Sequence, residues 1–144
     1  MQGILAGKID HAVLGEPFLN IALRKDSTLN ILADLNRPDS ASSGFAQTAI
    51  LYAPTLEKNR KTIDSLLTLS CRFAVEQPEL AIQILEKENI FVPGMLTPES
   101  IKRCKIDYKT ASEAQENILR FLQLIKQYEP KALGGKMPDE KFYK

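Results

Sequence analysis

Histidine occurs once in these 144 residues, cysteine twice and tryptophan not at all. A structural zinc site needs four tightly spaced Cys or His ligands, so His11, Cys71 and Cys104 exclude one. The two cysteines form no CxxC pair and read as reduced core thiols, with a single disulfide between them as the alternative. No apolar run approaches the ~18 residues of a membrane span. The start, Met1 to Lys8, lacks the basic-then-apolar plan of a secretory signal, so an export instruction is not expected from it. An excess of one charge is missing too: Lys plus Arg total 19 and Asp plus Glu 18, a net charge of +1. That excludes the strongly basic surface on which nucleic-acid binding rests. What remains is an ordinary globular composition, 44% hydrophobic and 26% charged, with 7 Gly and 8 Pro. A chain of this length suits one domain that buries roughly 70% of its unfolded surface.

Hydrophobic periodicity predicts about three short strands followed by four helices, an α/β chain. Residues 9–14 form a compact apolar run that reads as a buried strand and stops at Gly15-Glu16-Pro17. Pro17 fits the first turn of a helix, and Phe18, Ile21 and Ala22 recur at helical spacing up to Arg24. Leu29 to Leu35 alternates apolar and polar residues and predicts a second strand. Residues 36–44 are dense in turn formers and predict a surface loop. Phe45 to Tyr52 predicts a third strand, closed by Pro54.

From there the period becomes helical. Ile63, Leu66, Leu67, Cys71 and Ala74 lie on one stripe of a long helix that Thr55 is placed to cap. Pro78 starts another, with Leu80, Ala81, Ile84 and Leu85 as its expected buried face. Thr97-Pro98-Glu99 reads as a cap with proline at the first helical position. Thr110 and Glu113 have capping-box spacing ahead of a helix from about Ala111 to Tyr128. Pro130, Gly134-Gly135 and Pro138 mark an irregular tail.

The run Gly7-Lys8-Ile9-Asp10-His11-Ala12-Val13-Leu14-Gly15-Glu16-Pro17 resembles the solute-binding proteins of nitrate/sulfonate/taurine-type ABC transporters. That superfamily also holds binding proteins and enzymes for the thiamine pyrimidine. The segments Gln47-Thr48-Ala49-Ile50-Leu51, Glu76-Gln77-Pro78-Glu79 and Pro138-Asp139-Glu140-Lys141-Phe142-Tyr143 agree in order and spacing. The resemblance covers nearly all of this chain but only the C-terminal part of a family member. It implies a partial periplasmic-binding-protein type II fold, in which two lobes close on a small solute. Residues 1–36 would end one lobe, 37–54 would be a loop and hinge-crossing strand, and 55–144 the helical part of the other. It further implies an ABC permease as partner and, for the full-length family, a periplasmic or extracytoplasmic location. Unpaired strand edges predict self-association, for example as a homodimer.

Expected ligand contacts are Gly15, Glu16, Pro17, Gln47 and Thr48. Gly15-Glu16-Pro17 lies where a strand is predicted to end and a helix to begin, a common ligand position. A carboxylate there suits a solute with an amine, amidine or hydroxyl donor; the alternative is that Glu16 complements its own helix dipole. Gln47 and Thr48 offer an amide and a hydroxyl, or simply finish a strand edge. Ser42-Ser43-Gly44 reads as a turn more readily than an anion cradle. His11 reads as structural or solvent-facing, Cys71 as core, and Cys104, between Arg103 and Lys105, as packed rather than activated. No cofactor and no catalytic residue are expected. The leading expectation is non-covalent solute capture; the alternatives are an enzyme of the thiamine-pyrimidine type and a helical protein-interaction module.

Overall fold

The computed structural model describes residues 1–36, 46 and 48–143. Among the described residues there are six α-helices: α1 (Gln2–Leu5), α2 (Phe18–Lys25), α3 (Arg60–Glu76), α4 (Pro78–Lys87), α5 (Pro98–Arg103) and α6 (Ala111–Tyr128). Short 3-10 turns cover Pro54–Asn59, Pro130–Leu133 and Glu140–Tyr143. The four helices after residue 55 stand where the sequence places them, and the α6 bounds agree with the expected ones.

The expected α/β class is overturned: no strand exists among the described residues. Residues 9–14 and 29–34 are irregular, as are 48–53; Phe45, Gln47 and the loop 37–45 lie outside the described residues. The physical reason is that alternation reports a segment suited to a half-buried surface, whereas a strand exists only through its ladder. None of these three segments has a ladder partner among the described residues, and Leu32 and Leu51 are 86% and 91% exposed. The type II binding-protein architecture loses its sheet with them.

Contacts divide the chain into two units, residues 1–33 with 69–107 and residues 34–68 with 108–144. In the first, Ile82 of α4, Leu96 and Ile101 of α5 form a buried cluster flanked by Leu85, Phe91 and Ile106. Of the expected α4 face, Ala81 is buried and Leu85 packs against this cluster, whereas Leu80 and Ile84 are exposed and Ile82, outside that face, is buried. Ile82 wins because α5 packs on that side. Thr97 caps α5 through a capping box: its Oγ1 accepts the Ser100 N–H at 3.2 Å, and Ser100 Oγ accepts the Thr97 N–H at 2.9 Å.

A row of polar side chains fixes α2 against this cluster. Glu16, Asn20 and Arg24 recur at four-residue spacing, which places them on one face of a helical segment. Asn20, 5% exposed, donates from Nδ2 to the Met95 carbonyl at 3.0 Å and accepts from Thr97 Oγ1 at 3.1 Å. Arg24 donates to the Gly94 carbonyl, while the Gly94 N–H donates to Glu86 Oε1 at 2.7 Å. Gly94 has φ +79°, a left-handed conformation that glycine adopts without a Cβ penalty. Of the apolar residues at helical spacing here, Phe18 is exposed and Ala22 is the fully buried apolar residue of α2.

In the second unit α6 packs against the 3-10 turns Pro130–Leu133 and Glu140–Tyr143. Its start is the predicted capping box, Thr110 Oγ1 accepting the Glu113 N–H and Glu113 Oε2 accepting the Thr110 N–H. Thr55, by contrast, makes no cap bond; Pro54–Asn59 is a 3-10 turn and α3 begins at Arg60. Tyr108 Oη donates to Asp64 Oδ1 at 2.6 Å. That bond, followed by burial and the Asp64 charge, pushes the Tyr108 pKa from its ordinary 10 up to about 12, with Arg60 opposing.

Two measurements check these contacts. Asn20→Ala leaves the Met95 carbonyl and the Thr97 hydroxyl short of a partner, and urea unfolding is expected to show a loss of about 1–3 kcal/mol. Because the fold raises the Tyr108 pKa, its contribution to stability is present below pH 10 and is lost as pH rises toward about 12. Ultraviolet titration is expected to show a tyrosinate phase near the upper value, and Tyr108→Phe to remove it.

Candidate functional site

Gly15, Glu16 and Pro17 lead into α2 and belong to the first unit. The backbone here already behaves as a helix entry: the Leu19 N–H donates to the Gly15 carbonyl at 3.0 Å and the Ile21 N–H to the Pro17 carbonyl at 3.1 Å. Pro17 occupies the N-cap position rather than the first helical one, and the Glu16–Pro17 peptide is cis.

Both oxygens of Glu16 are engaged. Oε2 accepts the Asn20 N–H at 3.1 Å, one of the donors a helix start leaves without an intrahelical acceptor. Oε1 accepts from Arg103 Nε of α5 at 2.5 Å, and the Glu16 side chain is 8% exposed. The carboxylate thus complements its own helix and pairs with a guanidinium across the unit. Arg103 is the partner that sequence reasoning missed. The basic residue in the last turn of a short helix was visible, yet nothing in the sequence aims it at a residue 87 positions away.

An open hollow of about 540 Å³ is lined by Met1, Gln2, Val13, Leu14, Gly15 and Phe18. Gly15 forms part of its rim, and a Cβ built on Gly15 meets nothing within 4 Å. The lining is mainly hydrocarbon with a backbone edge, suited to the apolar part of a small molecule.

Thr48 is exposed and belongs to the second unit, and Gln47 and Ser42-Ser43-Gly44 lie outside the described residues. His11 is exposed. Cys71 and Cys104 are free thiols, both half-buried. Burial pushes both thiols up, the nearby Asp107 adding to the effect at Cys71 and Glu16 at Cys104, where Arg103 opposes it. Raised thiols stay protonated at neutral pH and are poor nucleophiles. Among the described residues no three His, Cys, Asp or Glu side chains converge as a metal site, and no helix is long and apolar enough to cross a membrane.

No family model matches the sequence, and no curated protein matches it. The chain is similar to the crystal structure of an ABC transporter from Parabacteroides distasonis, with 56% sequence identity and a TM-score of 0.94. That match covers 99% of this chain and 51% of the other, so the chain spans about half the length of that protein. Over nearly all its own length the chain is therefore related in sequence and conformation to an ABC transporter protein.

The Glu16–Arg103 pair yields a direct prediction. Arg103→Ala strands a nearly buried carboxylate, a change that costs about 3–5 kcal/mol in a fully buried pair. Arg103 keeps partial exposure, 28% of its side chain, so a smaller loss is expected, about 2–3 kcal/mol. Denaturant unfolding measures it, and Arg103→Lys is expected to recover part of the loss.

Proposed function

We propose that this chain takes part in solute capture for an ABC importer, as part of a solute-binding component of the nitrate/sulfonate/taurine type or its thiamine-pyrimidine-binding relatives. The observation that carries the reading is the hollow lined in part by Gly15, the residue before Glu16 of the buried pair, in a chain 56% identical to an ABC transporter protein. Capture is non-covalent, and the solute is handed to a membrane permease. An extracytoplasmic location goes with this reading.

The chemistry at Glu16 bears on how the solute is held. An amine that takes the carboxylate for itself has to displace Arg103 and the Asn20 N–H, each already at hydrogen-bond distance. The solute is better held at the Gly15–Pro17 backbone and in the hollow, with Glu16 supplying its field from one side. Gln47 and Thr48 are further proposed contacts, on the strength of their amide and hydroxyl alone.

Calorimetry with nitrate, an alkanesulfonate, taurine and an aminopyrimidine tests the reading. One of these solutes is expected to bind, and Gly15→Leu to weaken it at least about tenfold while leaving the unfolding midpoint unchanged, because the new side chain has open space. Absence of binding by every solute in the set overturns it. The second reading, a helical protein-interaction module, is favoured by two observations: the described residues hold no strand, and α3 buries none of its seventeen residues.

A further inference from the structure

We draw no further inference here: the strongest candidate, the open hollow lined by Val13, Leu14, Gly15 and Phe18 at the entry to α2, belongs to the site already described, and its apolar lining does not single out one class of solute.

Discussion

The first unit depends on one polar stripe. Glu16, Asn20 and Arg24, each one helical turn from the next, bind Arg103, the Met95–Thr97 segment and Gly94 in turn. Apolar packing alone leaves α2 free to rotate or slide, because Ala22 is its single fully buried apolar residue and Phe18 faces solvent. Hydrogen bonds with fixed partners remove that freedom. Each contributes on the order of 1 kcal/mol net, but leaving any partner buried and unpaired costs more, so the set specifies one register.

The stripe also explains why α5 holds the position it does. Ser100, fully buried, closes the capping box with Thr97, and the Thr97 hydroxyl simultaneously donates to Asn20. The cap of α5 and the docking of α2 are thus one network. Ile101 then turns inward beside Ile82 and Leu96, and α4 presents Ile82 and Leu85 to that cluster while Leu80 and Ile84 are exposed. A local capping choice propagates in this way into the identity of the core.

Features governed by near neighbours were legible before any coordinates. Thr110 with Glu113, Thr97 with Pro98, and Pro78 at a helix start each act within one turn, and each stands where the pattern placed it. Features that need a distant partner were not. Alternation at 29–35 signals a surface that favours a strand, yet the ladder depends on a neighbour the segment does not contain. The same limit applies to Asn20. Its spacing from Glu16 and Arg24 is plain in the sequence, but its partners lie 75 and 77 positions away. The candidate site divides along the same line. Gly15-Glu16-Pro17 at a helix entry was readable, whereas the pairing of Glu16 with Arg103 required the fold.

That pairing changes what a carboxylate at this place can do. A free Glu16 would select cations by charge alone, and its specificity would be weak because any ammonium satisfies a point charge. Held by Arg103 Nε on one oxygen and by a helix N–H on the other, it presents a neutralised and oriented group. Under the proposed solute-binding reading, discrimination rests on shape at the open hollow and on the backbone at Gly15.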